Sequence, residues 1–130
     1  MSKDYFTVRI KREVLEALLE FSRNAHPREN IFLLRGEKRK GEVIIEEALI
    51  PPLAEYGETF TIVPLHMLPI DFSIVGTYHS HPSGIPIPSP DDLNNFYGAV
   101  MLIAAYPYDS EYCVAAYNRR GDKLPLIVEG

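Results

Sequence analysis

The chain of 130 residues is 46% hydrophobic and 24% charged, so it can bury one core and is too apolar to remain disordered. Its net charge of −5 argues against nucleic acid as a partner, because such a partner would require a basic face. No internal repeat or low-complexity linker interrupts residues 1–130, and we therefore expect a single domain.

Cysteine content and hydropathy indicate the cellular compartment in which the protein is expected. The single cysteine, Cys113, excludes an internal disulfide and agrees with a reducing environment. The first residues are polar, so no signal peptide is predicted, and the longest apolar run, residues 100–105, is far too short to cross a bilayer. These features predict a cytoplasmic protein with no membrane partner.

Hydrophobic periodicity predicts a chain in which strands outnumber helices. The predicted strands, in chain order, are residues 6–10, 31–35, 43–50, 60–63, 72–78, 100–105, 113–117 and 124–128. The predicted helical segments are residues 12–25, 65–68 and 89–97. Segments 31–35 and 43–50 form a predicted hairpin around the basic run Lys38-Arg39-Lys40. We expect a mixed α/β (α+β) domain with a curved, largely antiparallel sheet flanked by helices.

Two histidines, His79 and His81, follow directly on the predicted strand 72–78. Strand side chains alternate between the two faces of a sheet, so both imidazoles should project from one face. Two imidazoles on one face form the beginning of a metal site. The next residues, 82–88, contain three prolines and predict a stiff, extended loop.

Ser89 and Asp92 follow this loop and begin the predicted helix 89–97, with Pro90 at its first position. Taken alone, Ser-x-x-Asp favours a capping box over a metal site. The preceding histidine pair favours a second role, in which Asp92 is a third, anionic ligand. The two roles are compatible, because the carboxylate has two oxygens and a helix N-terminus favours negative charge. Three protein ligands would leave one tetrahedral position open, as in catalytic zinc sites.

The combination of His79, His81, Ser89 and Asp92, with Pro82 after the second histidine, resembles the signature of the JAMM (MPN-plus) zinc metalloproteases. The upstream segment His26-Pro27-Arg28-Glu29, followed by an apolar strand, is similar to the HPxE segment of that family. The resemblance covers nearly the whole chain and is greatest to the small archaeal, desampylase-type members. It implies an MPN/JAMM (cytidine-deaminase-like) fold. One departure is Asn30-Ile31-Phe32, where many relatives carry a glycine.

The resemblance also implies roles for these residues. His79, His81 and Asp92 would hold one Zn²⁺ per chain, Glu29 would act as general base and then general acid, and Ser89 would donate a hydrogen bond to the oxyanion. His26 and His66 are spare histidines. We expect His26 to be a polar residue at a helix end and His66 to be structural, and His66 is the next candidate ligand.

The implied activity is cleavage of a ubiquitin-like modifier from its conjugates, after its C-terminal Gly-Gly. Two alternatives stay open: a processing protease for sulfur-carrier proteins, and a non-catalytic MPN scaffold. Scaffold versions of the fold generally lose ligands, whereas this chain keeps all of them. A zinc deaminase would need a Pro-Cys-x-x-Cys ligand pair, which a single cysteine excludes.

Overall fold

The computed structural model describes residues 4–50, 53–56, 59–62 and 73–130. The described residues form ten strands and two α-helices. The elements are β1 (Thr7–Lys11), α1 (Arg12–Ala25), β2 (Ile31–Arg39), β3 (Glu42–Leu49), β4 (Leu53–Tyr56), β5 (Thr59–Ile62), β6 (Ile74–His81), α2 (Pro90–Asn94), β7 (Val100–Ala105), β8 (Val114–Tyr117), β9 (Lys123–Leu124) and β10 (Leu126–Glu129). Residues Glu111–Cys113 form a short 3-10 turn before β8.

Eight of the described strands form one sheet in the order β10-β1-β3-β2-β6-β7-β8-β9. Four neighbouring pairs are antiparallel: β2 with β3 and with β6, β7 with β8, and β8 with β9. The other three pairs, β1 with β10, β1 with β3, and β6 with β7, are parallel. The predicted α+β class with a largely antiparallel sheet is therefore confirmed. Strand β6, which carries the two histidines, lies in the interior of the sheet between β2 and β7.

The sheet curves until its two edges meet. Strands β9 and β10 occupy opposite ends of the strand order, yet Pro125 alone separates them in the chain. The amide of Val8 in β1 donates a hydrogen bond of 2.8 Å to the Pro125 carbonyl, which fixes this junction. The prediction of one strand over residues 124–128 was wrong. Pro125 has no N–H to donate to a neighbouring strand, and at this residue the chain passes from one edge of the sheet to the other.

Helix α1 packs on one face of the sheet and spans the residues predicted for it. Its buried side chains are Leu15, Leu18, Leu19 and Ser22, and Val14 packs partly buried against the same core. The facing strands contribute Val8, Ile10, Leu34, Ile45, Val75, Tyr78, Leu102 and Ala104, among others. The opposite face carries a smaller cluster of Met101, Ile103, Ala115 and Tyr117, against which Phe96 packs. The site lies on this second face, as the alternation along β6 requires.

Several predicted boundaries differ from the observed ones. The hairpin of β2 and β3 turns at Lys40 and Gly41, with Gly41 at φ 78°, so Lys38 and Arg39 belong to β2. A separate two-stranded sheet of β4 and β5 replaces the single predicted strand 60–63. The predicted helical segment 65–68 lies outside the described residues. No helix in the described ranges is long and apolar enough to cross a membrane.

Candidate metal centre

The site begins at the C-terminal end of β6, where Thr77, His79 and His81 share one face by strand alternation. His79 is opposite Ile31 of β2 and Ile103 of β7, so the ring is held between two neighbouring strands. The intervening residue Tyr78 points the other way and belongs to the core under α1. The two histidines therefore lie on the same face of the sheet, as predicted.

Asp92 reaches the histidines from the first turn of α2. Its Oδ1 lies 3.5 Å from Nδ1 of His79, and its Oδ2 lies 3.2 Å from Nε2 of His81. All three side chains are shielded, with only 11%, 15% and 17% of their surface exposed for His79, His81 and Asp92 respectively. The structure thus brings together the three residues predicted to be metal ligands.

The capping box predicted at the start of α2 is also present. The Ser89 hydroxyl accepts a hydrogen bond of 3.1 Å from the Asp92 amide, and the Ser89 amide donates one of 2.8 Å to Asp92 Oδ2. The capping role predicted for Ser89 and Asp92 is confirmed, and their functional roles stay a prediction. The helix itself is shorter than predicted and ends at Asn94, where the Asn95 side chain bonds to the Asp91 carbonyl.

The proline-containing loop 82–88 is tied to the sheet at two points. Nδ1 of His81 lies 3.1 Å from the Ile85 carbonyl, so this ring nitrogen carries the proton that it donates. The Tyr117 hydroxyl donates a hydrogen bond of 2.5 Å to the Pro86 carbonyl. These contacts hold the loop in a conformation that brings the start of α2 close to the end of β6.

The surroundings of Asp92 favour its ionised form. The hydrogen bond with His79 is the largest cause that holds the pKa of this carboxyl well below its ordinary range, and the hydrogen bond from the Ser89 amide acts in the same direction. Partial burial opposes both effects but is outweighed. Asp92 is therefore a carboxylate at any pH near neutrality, as a metal ligand must be.

Two imidazoles and one carboxylate are a donor set whose chemistry suits zinc. Each histidine also has its second ring nitrogen engaged, with Thr77 for His79 and with Ile85 for His81, as metal-bound histidines usually have.

As they stand, no three His, Cys, Asp or Glu side chains in the described part of the chain surround a common metal position. The Asp92 carboxylate instead spans the two rings and offers a different oxygen to each. A metal ion would replace these two direct contacts. The donor set therefore fits zinc by the chemistry of its side chains, and not by the present positions of their atoms.

Glu29 lies at the same end of the sheet. Ile31 is opposite His79, and the next pair, Asn30 and Ser80, is joined by a hydrogen bond of 3.0 Å from the Ser80 amide to the Asn30 carbonyl. Strand β2 begins at Ile31, so Glu29 precedes it by two residues, and an unbroken antiparallel register would bring Glu29 opposite His81. Glu29 is exposed, so its carboxylate is accessible to solvent and substrate.

The spare histidines are the remaining candidates for ligands. His26 follows the last turn of α1, as predicted, and its ring stacks on Tyr106 with centroids 4.1 Å apart. That contact gives His26 a packing role. His66 lies outside the described residues.

The sequence did not identify Thr77 and Tyr117 as residues that contact the site. Thr77 is completely buried, and its hydroxyl lies 3.2 Å from Nε2 of His79. Period-two alternation could have found Thr77, because it precedes His79 by two positions on the strand. Tyr117 has no such signal, because its contact with Pro86 depends on the sheet order.

Comparisons with known proteins identify the family of this chain. Residues 11–119 match the family described as prokaryotic homologs of the JAB domain. A protein of Haloferax volcanii named a probable metalloprotease is 38% identical over 129 residues, which cover 93% of this chain and 79% of that protein. This likeness suggests a hydrolase.

Two solved structures share the fold along nearly the whole chain. A JAB1/MPN domain protein from Archaeoglobus fulgidus is 33% identical, with a TM-score of 0.69 and coverage of 94% of this chain and 99% of that chain. A structure described as JAMM, a metalloprotease-like zinc site in the proteasome and signalosome, is 32% identical, with a TM-score of 0.69 and coverage of 95% and 99%. The chain belongs to the JAB/MPN (JAMM) family, and the resemblance predicted from His79, His81, Ser89 and Asp92 is confirmed.

Proposed function

We propose that this protein is a zinc-dependent isopeptidase that removes ubiquitin-like modifiers from conjugates by cleaving after their C-terminal Gly-Gly. The observation that carries the proposal is the placement of the Asp92 carboxylate between His79 and His81, 3.5 and 3.2 Å from their ring nitrogens. Membership of the JAMM family and the relative named a probable metalloprotease support hydrolysis as the reaction. We propose one zinc per chain.

His79, His81 and Asp92 would hold the ion. When bound there, zinc supplies Lewis acidity, which lowers the pKa of water to about 7 and polarises the scissile carbonyl. The loop contacts of His81 and the capping box of Asp92 keep these ligands oriented, so little reorganisation accompanies catalysis.

Glu29 is the proposed proton carrier. Extension of the β2–β6 register beyond the Ile31–His79 pair would bring it opposite His81, and its exposure makes its carboxylate accessible to solvent. The Glu29 carboxylate would accept a proton from that water and then deliver it to the departing lysine amine. The three metal ligands are not available for this role, because their lone pairs are engaged.

Ser89 is the proposed oxyanion donor. Its hydroxyl oxygen already accepts a hydrogen bond from the Asp92 amide, which fixes the side chain. A hydroxyl that accepts one hydrogen bond still has its own hydrogen to donate. That hydrogen can stabilise the charge that develops on the carbonyl oxygen during attack.

The substrate class is supported by the shape of the loop beside the site. Residues 82–88 are tied down through Ile85 and Pro86, and two apolar side chains, Ile85 and Ile87, are 55% and 60% exposed. A stiff apolar wall of this kind favours an extended tail with little side-chain bulk. Two glycines allow the substrate backbone to approach closely.

The test is cleavage of a defined conjugate in which a ubiquitin-like modifier is joined through its C-terminal glycine to a lysine amine. Mass spectrometry should find a released modifier that ends in Gly-Gly and a free lysine, and a chelator should abolish both products. A modifier whose penultimate Gly is replaced by Val should resist cleavage. Equal cleavage of that variant, or of unfolded casein, would mean a general peptidase.

A second substrate in the same assay distinguishes the proposed isopeptidase from a processing protease for sulfur-carrier proteins. A sulfur-carrier protein with a linear peptide extension after its Gly-Gly has a peptide bond in place of the isopeptide bond. The proposal expects the isopeptide conjugate to be cleaved faster. Cleavage of the linear extension alone would identify a processing protease, and cleavage of neither would favour a scaffold.

A further inference from the structure

We propose that Thr77 is a positioning residue that fixes the ring of His79, so that His79 binds the metal through Nδ1 while His81 binds it through Nε2. This inference rests on the metal site of the proposed function. It assigns a role to a side chain outside the proposed ligand set, and it specifies which nitrogen of each histidine faces the ion.

The first argument is the position of Thr77. It shares the site face of β6 with His79, and none of its surface is exposed. Its Oγ1 lies 3.2 Å from Nε2 of His79, whereas Nδ1 of the same ring points towards Asp92 Oδ1 at 3.5 Å. The two nitrogens of His79 therefore have different partners on opposite sides of the ring.

The second argument is the contrast with His81. There the partner of the second nitrogen is the Ile85 carbonyl, which can only accept, so Nδ1 carries the proton and Nε2 faces Asp92. The two rings thus present opposite nitrogens to the same carboxylate.

The third argument is the chemistry of a hydroxyl. When His79 donates from Nδ1 to Asp92, its Nε2 has a lone pair, and the Thr77 hydroxyl can donate to it. When Nδ1 binds a metal ion, the ring proton lies on Nε2, and the same hydroxyl can accept it. Thr77 can therefore hold one ring orientation before and after metal binding, which an aliphatic side chain cannot do.

The experiment compares Thr77→Val, which keeps the β-branched shape without the hydroxyl, with Thr77→Ser, which keeps the hydroxyl. The zinc dissociation constant of each is measured by competition with a chromophoric chelator. Loss of such a supporting partner typically weakens metal binding roughly 10–100-fold, and we expect that loss in Thr77→Val. Thr77→Ser should restore most of the affinity.

Two further readouts separate positioning from a general structural defect. The unfolding midpoint of the metal-free Thr77→Val protein should fall only slightly below that of the parent, because the shape of the buried side chain is kept and one hydrogen bond is lost. In ¹⁵N-resolved NMR spectra of the zinc-loaded parent protein, the His79 proton should lie on Nε2 and the His81 proton on Nδ1. This second measurement needs no variant.

The outcomes distinguish the proposals. Parent-like zinc affinity in Thr77→Val, or a His79 ring that binds zinc through Nε2, would overturn the role of Thr77 and leave the zinc site itself intact. Failure of the parent protein to bind zinc would overturn the metal site and the positioning role together. Weaker binding in Thr77→Val, recovery in Thr77→Ser and the expected NMR pattern would support the proposal.

Discussion

Ser89 and Asp92 exchange two hydrogen bonds, and the Asp92 oxygen that takes part, Oδ2, also lies 3.2 Å from Nε2 of His81. The residues that begin α2 are therefore also residues of the site. Helix capping and the proposed metal binding share one carboxylate, so a change at either position should affect both stability and chemistry. This coupling shapes the following predictions.

Acid should destabilise the metal-free protein through Asp92. The hydrogen bond with His79 holds the pKa of this carboxyl well below its ordinary range in the folded state. The folded pKa is lower than the unfolded one, so the ionised form contributes stability that is present above about pH 4 and is lost as the pH falls towards the folded value. Urea unfolding should show a steeper loss below about pH 5 in the parent than in Asp92→Asn. Identical pH dependence in the two proteins would contradict this assignment.

Replacing Glu29 by glutamine should separate binding from chemistry. Glutamine has nearly the same shape but cannot accept and deliver the proton, so activity on the conjugate should be lost. Zinc content and melting temperature should be unchanged, because Glu29 is exposed and is not a proposed ligand. Glu20→Gln, on the exposed side of α1, is the matched control and should retain full activity. Normal turnover by Glu29→Gln would refute the proposed mechanism.

Ser89→Ala should have two separable effects. Loss of an oxyanion donor should lower kcat roughly 10²–10³-fold, while zinc binding persists. Loss of the cap should also lower the free energy of unfolding by about 1 kcal/mol, because the Asp92 amide loses its acceptor. Kinetics and denaturant unfolding of the same preparation measure both. A stability loss with unchanged kcat would leave Ser89 as a cap alone.

Tyr117→Phe should loosen loop 82–88. The phenol hydroxyl donates a hydrogen bond to the Pro86 carbonyl, while the ring packs with Met101, Ile103 and Ala115 on the site face of the sheet. Phenylalanine keeps the packing and removes the hydrogen bond, at a cost of about 1 kcal/mol. Hydrogen exchange of a peptide covering the loop should become faster. Tyr112→Phe is the control, since Tyr112 is 90% exposed, and equal exchange in both variants would exclude the anchoring role.

Local patterns predicted the parts of this fold that depend on near neighbours in the chain. Periodicity gave the bounds of α1, and the cap motif located the start of α2. The histidine pair and its shared face follow from alternation along one strand, and the approach of Asp92 was predicted from its helix start. Each of these features is set within one short, continuous stretch of the chain.

The features that were missed depend on partners distant in sequence. The division of residues 124–128 between two sheet edges depends on where β1 and β8 lie, and the extra strand β4 depends on pairing with β5. The anchor between Tyr117 and Pro86 joins a strand to a loop through the order of the sheet. Thr77 differs, because alternation placed it on the site face, but its threonine type alone did not indicate contact with His79.

The location of zinc in the loaded protein tests the account most directly, and anomalous diffraction at the zinc edge from crystals grown with zinc would provide it. The account predicts one anomalous peak per chain, at about 2.0–2.2 Å from Nδ1 of His79, Nε2 of His81 and a carboxylate oxygen of Asp92. The same peak should disappear in Asp92→Ala. A peak bound by His26 or His66 instead, or no peak beside His79 and His81, would contradict the account.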